Sequence, residues 1–399
     1  MKPFEIHRIP KEDFHDSLSL SEFAFQYEVP KEDRERRISL LKEKECWGAY
    51  VEGKLAARLS IHDMHTWVNG KRFAMGGIAS VATWPEYRRG GMVASLIGNA
   101  LQVMREQGQY LSFLHPFQFA FYRKYGWETY TETKKYEIPT ALLPKLPAQP
   151  GRVVRVNENI ELLNSIYRQY AVRYNGALDR DEAWWTNRIF ANKKGSAAVY
   201  YDESGAPAGY VHYIVKDRIC QIHELVYLHQ QAWRGLWKFI ADHDSMIEKV
   251  KVYVPANDRL PFLLDNPRIQ QVLEPYFMAR IVDAERFMEL YPFASKADAD
   301  AAGKLILKIS DSHAEWNEAE FVLDIGAAGK VTVHKQPGGG TAEGIPAVSC
   351  GIGTLSAMLM GYQRPAFLHE IGRLEGDSAA VRLLETIIPD NQTYLPDFF

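Results

Sequence analysis

The stretch that most constrains the fold is residues 76–100, which read GGIASVATWPEYRRGGMVASLIGNA. Residues 78–83 are a short run of β-branched and small apolar residues, a pattern that predicts a buried strand. Pro85 ends this strand, and residues 87–91 form a basic turn that contains two glycines. Residues 92–109 then show the apolar spacing of an amphipathic helix. The order strand, turn, helix follows from the sequence alone.

A turn of this kind is suited to bind phosphate. The first N–H groups of a helix have no internal acceptor and lie at the positive end of the helix dipole, so the amides of residues 88–93 can surround a diphosphate. Gly90 and Gly91 let an oxygen approach the backbone, and Arg88 and Arg89 add positive charge. The turn matches neither GxxxxGK[ST] nor GxGxxG, which argues against a P-loop or a Rossmann nucleotide site.

Composition and charge exclude several classes of protein. The 399 residues are enough for two or three domains, with 46% hydrophobic and 24% charged residues. A net charge of −3 gives no indication of nucleic-acid binding. The sequence contains no apolar run of about 18 residues and no apolar signal core, so we expect a cytoplasmic protein without a membrane partner. Cys46, Cys220 and Cys350 form no CxxC pair and are predicted to be buried thiols in a reducing compartment.

The segments around the turn predict one mixed domain over residues 1–145. Glu52-Gly53 is the predicted turn of a hairpin, and Gly126 ends the last helical turn. His62 and His65 lie three residues apart, but no third ligand is near them in the sequence, so we interpret this segment as a loop rather than a metal site. The predicted elements are a charged helical region at 1–45, strands at 46–51, 54–61, 73–83 and 111–114, and helices at 92–109 and 117–125.

The same order of elements recurs after a linker at residues 139–150 that contains four prolines. A hairpin, a strand and a helix over residues 151–285 predict a second domain of the same fold. The phosphate turn is not repeated, because residues 229–235 read HQQAWRG, so we expect this domain to lack a cofactor. His223 and Glu224 at a strand end are interpreted as a structural polar contact rather than an acid–base pair. The predicted elements here are strands at 197–201, 209–215 and 220–227 and a helix at 230–243.

Residues 286–399 change in character. Three alternating strands, at 305–309, 320–325 and 330–334, precede helices at 356–361, 366–371 and 378–388. The sequence GIGTLS at 351–356 lacks the last glycine of a dinucleotide-binding motif and is interpreted as a turn that starts a helix. This layout resembles a sterol-carrier-protein-like domain.

Other motifs carry a resemblance over the whole chain. The spacing Pro85-x-x-Arg88-x-x-Gly91 resembles the acetyl-coenzyme A signature R/Q-x-x-G-x-G/A of the GNAT acyltransferases, with Val93 where Gly or Ala is usual. Two acyltransferase-like segments followed by a carrier-like one resemble the enhanced-intracellular-survival (Eis) family of bacterial N-acetyltransferases. Residues 121–127 (FYRKYGW) and the end of the chain (LPDFF) match that family locally. The resemblance implies an α+β (mixed α/β) fold with tandem GNAT-like domains at 1–145 and 151–285 and a sterol-carrier-protein-like domain at 286–399.

The same resemblance implies an activity and the residues that perform it. Members of this family acetylate amines of polycationic small molecules such as aminoglycosides, use acetyl-CoA as co-substrate without a metal, and form homohexamers. The family's general acid falls on Tyr122, and its catalytic C-terminal carboxylate falls on Phe399. The cofactor-binding residues that correspond are Val81, Ala82, Thr83, Arg88, Arg89, Gly90, Gly91, Met92, Val93 and Ala94.

Elementary chemistry agrees with a tyrosine in the role of acid and leaves the role of the carboxylate open. Transfer from a thioester to an amine needs a neutral amine, an oxyanion stabiliser on the strand at 78–83, and a proton for the departing thiolate. A tyrosine, with a reference pKa of about 10, carries that proton at neutral pH. Tyr125 is the nearest rival of Tyr122. A terminal carboxyl with a reference pKa near 3.5 is a poor base unless burial raises it, so Phe399 acts either as the base or by orienting the cationic substrate.

The substrate pocket is expected between the first domain and the C-terminal tail. Its candidate carboxylates are Glu22, Glu28, Asp33 and Asp397, and its candidate aromatic walls are Phe23, Phe25, Tyr27 and Trp84. Two other functions remain open at this point. One is a protein lysine N-acetyltransferase, and the other is a non-catalytic regulator that binds acetyl-CoA or a lipid.

Overall fold

The computed structural model describes residues 3–294, 303–326, 330–336 and 344–399 of the chain. Within these ranges the strands form two sheets, one of twelve strands and one of five. Helices flank both sheets, which is the mixed α/β class that the sequence predicts. No helix of the described ranges is long and apolar enough to cross a membrane.

The first unit contains a meander of antiparallel strands followed by the long helix and two further strands. Glu52 and Gly53 have φ of 51° and 76°, the left-handed pair that a tight hairpin turn requires. Pro85 opens a short 3₁₀ turn just after the strand that ends at Thr83. The elements of this unit are β1 (Glu5–Arg8), α1 (Phe14–Phe25), α2 (Lys31–Ser39), β2 (Cys46–Val51), β3 (Lys54–Val68), β4 (Lys71–Thr83), α3 (Met92–Glu106), β5 (Leu111–Leu114), α4 (Phe119–Arg123) and β6 (Glu128–Pro139).

Two sequence-based predictions for this unit are wrong. Residues 1–45 are not helical throughout, because β1 pairs with β2 as an edge strand. Four residues at an edge are too few to show a clear alternation. The segment from His62 to His65 is not a loop but part of β3, which pairs with β4 as far as Val68. Polar residues are accommodated in this strand because their side chains find partners, Glu45 in the case of His62.

The second unit repeats the order of elements in the first, as predicted, and the strands and the helix named for it are all present. The sequence patterns did not identify β7, β11 and β12 of this unit, and they also missed β6 of the first unit. The elements are β7 (Arg152–Val156), α5 (Ile160–Ala171), α6 (Glu182–Trp184), a π-helical turn (Trp185–Phe190), β8 (Ser196–Tyr201), β9 (Pro207–Lys216), β10 (Ile219–Tyr227), α7 (Gln230–Ala241), β11 (Lys249–Pro255), β12 (Gln270–Ile281) and the connecting helix α8 (Ala284–Leu290).

The first two units share one sheet because they exchange strands. β12 lies between β5 and β6 and pairs antiparallel with both. β6 in turn pairs with β11 of the second unit. The order across the sheet is β1-β2-β3-β4-β5-β12-β6-β11-β10-β9-β8-β7. Neither unit therefore completes its half of the sheet from a contiguous segment of chain.

The third unit has a five-stranded sheet that packs against the other two units. One hydrophobic core includes Phe113 of β5, Phe277 of β12 and Leu307 of the small sheet. The hydroxyl of Ser356 accepts a hydrogen bond from the N–H of Ile281 at 2.8 Å, which joins the two sheets through a helix. The elements are β13 (Gly303–Ser310), β14 (Ala319–Ile325), β15 (Val331–Gln336), β16 (Ala347–Gly351), α9 (Ile352–Leu359), α10 (Pro365–Glu370), β17 (Glu375–Gly376) and α11 (Ser378–Ile387), and the sheet order is β15-β14-β13-β16-β17.

Candidate active site

β4 carries a bulge in the segment predicted to bind the cofactor. Ser80 has a φ of 53°, which is unusual for a residue other than glycine. The pairing register with β3 shifts at the same place, between Arg58 and Ser60. A bulge leaves one residue outside the ladder and turns its backbone groups away from the neighbouring strand. This is where an N–H group can be free to face a carbonyl oxygen.

β4 and β5 also diverge at this point. β5 pairs with β4 only from Met75 to Ile78, although β4 continues to Thr83. On the β5 side, no strand of the described ranges pairs with residues 79–83. Val81, Ala82 and Thr83 therefore border a slot between two strands. An extended chain with amide groups can bind such an edge as an added strand does.

The turn after β4 has the geometry of a phosphate cradle. Arg89 and Gly91 have φ of 63° and 77°, and Gly91 caps α3 without a side-chain hydrogen bond. Within the described part of the chain, no acceptor is hydrogen-bonded to the N–H groups of residues 89–94, because the first helical bond is from Ser95 to the carbonyl of Gly91. Arg88 and Arg89 are exposed and form no ion pair with a described residue. The N–H groups without a described acceptor include those of four predicted cofactor-binding residues, Gly90, Met92, Val93 and Ala94.

Tyr122 lies on α4 among aromatic rings. It is 3% exposed, and its ring contacts Phe117, Phe121 and Trp127 edge-on. Its hydroxyl forms no hydrogen bond to any described residue. Burial raises the pKa of Tyr122 above its usual value. A phenol held in this way keeps its proton at neutral pH, so Tyr122 is protonated when a departing thiolate requires a proton.

The rival, Tyr125, faces a different neighbour. Its ring lies 4.8 Å from the ring of His313 in the third unit. Its backbone carbonyl accepts a hydrogen bond from Arg280. These contacts place Tyr125 at the junction between units, so Tyr122 is the better candidate for the acid.

The chain ends in a docked aromatic residue. Phe399 is 8% exposed, and its ring centroid lies 5.0 Å from that of Phe277. The ring also covers Gly77 of β4, where an added Cβ would come within 2.8 Å of its Cε2. Only one of the two terminal aromatic residues is buried, because Phe398 is 58% exposed. The last residue thus lies against β4 just before the strand diverges from β5.

Asp397 holds the tail in place and is not part of an open pocket. It is 1% exposed, and its carboxylate accepts hydrogen bonds from Nε of Arg180 at 3.0 Å and Nε1 of Trp184 at 2.8 Å. Its carbonyl accepts a bond from the Tyr276 hydroxyl at 2.9 Å. The prediction that Asp397 faces the substrate is therefore wrong. Its charge is already neutralised by Arg180.

Glu224 lies on the other side of the same arginine. Arg180 donates to it from Nη2 at 2.7 Å, and Lys193 lies 3.0 Å from it. The Tyr210 hydroxyl donates a further bond at 2.7 Å. His223 hydrogen-bonds only the backbone of residue 194. Glu224 is thus a structural contact, as predicted, and no acid–base pair forms with His223.

A cleft of about 950 Å³ opens beside the phosphate turn. Of the residues predicted to surround the substrate, Glu22, Glu28, Phe23 and Tyr27 line it, together with Arg88. Glu22 is bound to Arg34 at 2.7 Å. The predicted Asp33, Phe25 and Trp84 do not line this cleft, and Asp33 forms an ion pair with Arg36 at 3.4 Å.

The sequence analysis also missed a polar pair next to the tail. His62 on β3 lies 2.9 Å from Glu45, and its ring is 6.4 Å from that of Phe399. The two residues are 17 positions apart, so no spacing pattern connects them. Among the described residues, no group of three or more His, Cys, Asp or Glu has an arrangement suited to a metal ion.

Comparison with known proteins identifies the family to which this fold belongs. Models of the acetyltransferase (GNAT) domain match residues 5–130 and 176–281, and the sterol carrier protein domain model matches residues 284–396. A solved structure from Enterococcus faecalis, described as a probable N-acyltransferase, is 30% identical with a TM-score of 0.92 and full coverage of both chains. The chain belongs to the GNAT N-acetyltransferases. This GNAT protein is therefore an enzyme, and its first two units are both acetyltransferase domains.

The resemblance to the Eis family is confirmed as well. This GNAT enzyme is 21% identical to N-acetyltransferase Eis of Mycobacterium tuberculosis over 271 residues, which is 62% of this chain and 67% of that protein. The structure of Eis1 from Mycobacterium abscessus has the same fold, with a TM-score of 0.81 at 19% identity over 99% of this chain and 100% of that one. The tandem GNAT domains and the carrier-like domain occur in the predicted order.

Proposed function

We propose that this protein transfers the acetyl group of acetyl-CoA directly to an amine of a polycationic small molecule, with aminoglycosides as the type of acceptor. The observation that carries the proposal is the edge of β4 at residues 79–83, which no described strand covers on the β5 side and which continues into a turn whose amides find no acceptor among the described residues. Because the docked terminal residue lies on the same strand, donor and acceptor sites would meet there.

The residues present suit acetyl-CoA. The edge formed by Val81, Ala82 and Thr83 can pair with the amides of the pantetheine arm. The amides of residues 88–94 and the charges of Arg88 and Arg89 can hold the diphosphate. Val93 does not obstruct the turn, because the backbone rather than its side chain supplies the donor, and its side chain packs against the core beneath α3. No metal is needed for this binding.

The protein groups then serve the transfer as follows. The bulge at Ser80 offers an N–H to the thioester oxygen, where negative charge develops as the amine attacks. Tyr122 donates its proton to the sulfur as the carbon–sulfur bond breaks. The carboxylate of Phe399, fixed by the burial of its own ring, attracts and orients the ammonium group of the acceptor or accepts its proton.

The choice of acceptor rests on the family resemblance and on the charges near the site. Glu28 lines the cleft with Phe23 and Tyr27 as apolar walls. Glu22 lines it too, with its carboxylate paired to Arg34. Carboxylates and aromatic faces are the groups that bind polycations. A cleft of about 950 Å³ has room for a molecule of several rings.

The family resemblance also leads us to propose a homohexamer. Large apolar side chains are exposed on the second unit, with Phe262 at 89% and Leu273 at 51%. Exposed groups of this size are frequent where subunits meet. Light scattering of the purified protein tests the assembly, and a monomer would contradict it.

The experiment that tests the function has two steps. Calorimetric titration with acetyl-CoA measures binding, and a thiol-release assay then measures turnover with kanamycin, neomycin, spermidine and a lysine-containing peptide. Turnover with the aminoglycosides supports the proposal. Turnover with the peptide alone would indicate a protein acetyltransferase, and binding without release of thiol from any amine would indicate a regulator. Either result overturns the proposed acceptor class.

A further inference from the structure

His62 and the terminal residue are neighbours on one face of the sheet. His62 on β3 is directly opposite Gly77 on β4. Residues opposite each other in an antiparallel ladder point to the same face. The ring of Phe399 covers Gly77 on that face and lies edge-on to His62, with ring centroids 6.4 Å apart. One residue further along, at Ile78, β4 leaves β5 and the free edge begins.

Glu45 fixes the orientation of this imidazole. Its Oε2 lies 2.9 Å from Nδ1 of His62. A carboxylate accepts but does not donate, so Nδ1 carries the hydrogen and Nε2 carries the lone pair. Glu45 is itself held by Lys42 at 3.1 Å. Nε2 forms no hydrogen bond with a described residue and is not among the fully buried polar atoms without a partner, so a water can reach this nitrogen.

The reaction needs a base that the terminal carboxylate does not readily provide. An amine is an ammonium ion at neutral pH, and only its neutral form attacks a thioester. A carboxyl group with a reference pKa near 3.5 has a poor driving force for removing that proton. An imidazole with a reference pKa near 6.5 is far closer to the optimum for a general base.

We propose that His62, oriented by Glu45, is the general base that removes the proton of the acceptor ammonium, while the carboxylate of Phe399 holds and orients that ammonium. This proposal rests on the proposed function. The proton passes from the amine nitrogen to Nε2, directly or through one water, and the nitrogen lone pair then forms the bond to the thioester carbon.

The remaining protons balance. The carbon–sulfur bond breaks and the thiolate takes the hydroxyl proton of Tyr122. The second proton lost by the nitrogen, as it becomes an amide, restores the tyrosine through solvent. The proton on His62 is released to solvent, so the products are the acetylated amine, the free thiol of coenzyme A and one proton.

The charges around His62 make its behaviour testable. Burial lowers the pKa of His62, the hydrogen bond from Nδ1 to Glu45 raises it, and the positive charges of Arg188 and Lys42 lower it, so that the net change is a decrease. Because its pKa is below the usual value, His62 is neutral, and so able to act as a base, at pH 7.

The test compares pH profiles of kcat/KM for acetylation of neomycin. In the wild type, kcat/KM should fall at low pH as His62 becomes protonated, and the position of this acid limb should give the pKa of His62. We expect His62→Gln to lose that limb and to lower kcat by about 100-fold or more, with unchanged affinity for acetyl-CoA. Glu45→Gln should move the limb to lower pH, whereas Arg188→Gln should move it to higher pH, because one removes a negative and the other a positive neighbour.

Three controls separate a chemical from a structural role. His65→Gln changes a histidine on the opposite face of the same strand and should keep the limb. Imidazole added to His62→Ala should restore part of the turnover. Nuclear magnetic resonance of the free protein should show one histidine signal, absent in His62→Gln, that titrates at the pH of the limb.

The outcomes distinguish this proposal from the function it rests on. Wild-type protein that turns over no amine overturns both. Normal turnover and an unchanged limb in His62→Gln overturn the role of His62 alone and leave the acetyltransferase reading intact. Equal shifts in Glu45→Gln and Arg188→Gln, or a limb that does not coincide with the His62 signal, would also contradict it.

Discussion

Phe399 lies directly over Gly77, so that the last ring of the chain covers β4 at a residue without a side chain. An added Cβ at Gly77 would meet Cε2 of Phe399 at 2.8 Å and the methyl of Met64 at 2.1 Å. Glycine is therefore needed here for close approach rather than for an unusual backbone conformation.

This contact predicts the effect of Gly77→Ala. The methyl group should displace the ring of Phe399, lowering kcat for amine acetylation by about 10-fold or more because a displacement of about 1 Å can cost 100-fold. The affinity for acetyl-CoA, measured by calorimetry, should change little. The matched control is Gly98→Ala on α3, where a Cβ would meet nothing within 4 Å. Full activity in Gly77→Ala would show that the position of Phe399 is immaterial.

A change at the chain terminus tests the same site from the other side. Deletion of Phe399, or extension by a few residues beyond it, should abolish acetylation, because either moves the carboxylate away from β4. Binding of acetyl-CoA should remain nearly intact, since the phosphate turn and the free edge of β4 do not involve the tail. Thiol release and calorimetry measure the two effects separately. An extended protein with wild-type turnover would remove the tail from the mechanism.

Replacement of Tyr122 tests the general acid. Tyr122→Phe keeps the buried ring and removes only the hydroxyl, so we expect kcat to fall by about 100-fold while the melting temperature and acetyl-CoA affinity change little. Tyr125→Phe removes a hydroxyl that lies at the junction with the third unit and is the matched control. Equal losses in the two variants would mean that Tyr122 has no special role in proton donation.

The arginine that links the tail to the second unit should be important for stability. Arg180 is fully buried between Asp397 and Glu224. Arg180→Met leaves the buried carboxylate of Asp397 without its cation and Glu224 with Lys193 alone, which should cost about 3–5 kcal/mol of unfolding free energy. Urea unfolding measures this loss, and limited proteolysis should show earlier release of the tail. Arg218→Met, at an exposed ion pair with Glu248, is the control and should change stability by less than about 1 kcal/mol.

The same cluster predicts a dependence of stability on pH. Burial raises the pKa of Glu224, but the charges of Arg180 and Lys193 lower it more, so the pKa lies well below its usual value in the folded protein. A carboxyl whose pKa is depressed on folding stabilises the protein above its unfolded pKa of about 4.3. The contribution is lost as the pH falls below that value. Urea midpoints should thus drop below about pH 4 in the wild type, and this drop should be smaller in Glu224→Gln.

Local patterns were sufficient for a large part of the fold. The strand, turn and helix at residues 76–100 follow from β-branched residues, Pro85, two glycines and a helical period, all of which act within a few residues. The hairpin at Glu52 and Gly53 is determined in the same way. The recurrence of this order indicated the second acetyltransferase domain, and the motifs indicated the family.

Other features were missed or predicted wrongly because they depend on distant partners. β12 and β6 are exchanged between units, so their pairing is decided by strands more than a hundred residues away in the chain. The sequence makes Asp397 a candidate for binding a cationic substrate, but its carboxylate already binds the guanidinium of Arg180. His62 looked like a residue of a loop, but it lies in β3 and its partner is Glu45.

The sequence by itself determined the basic, glycine-containing turn after β4, the repeated acetyltransferase order and the aromatic end of the chain, because each depends on short-range chemistry. Only the tertiary structure decided that Phe399 lies over Gly77, that the tail is anchored by Arg180, and that His62 faces the same space. These relationships join segments separated by hundreds of residues, and they form only when the shared sheet closes and buries its apolar faces.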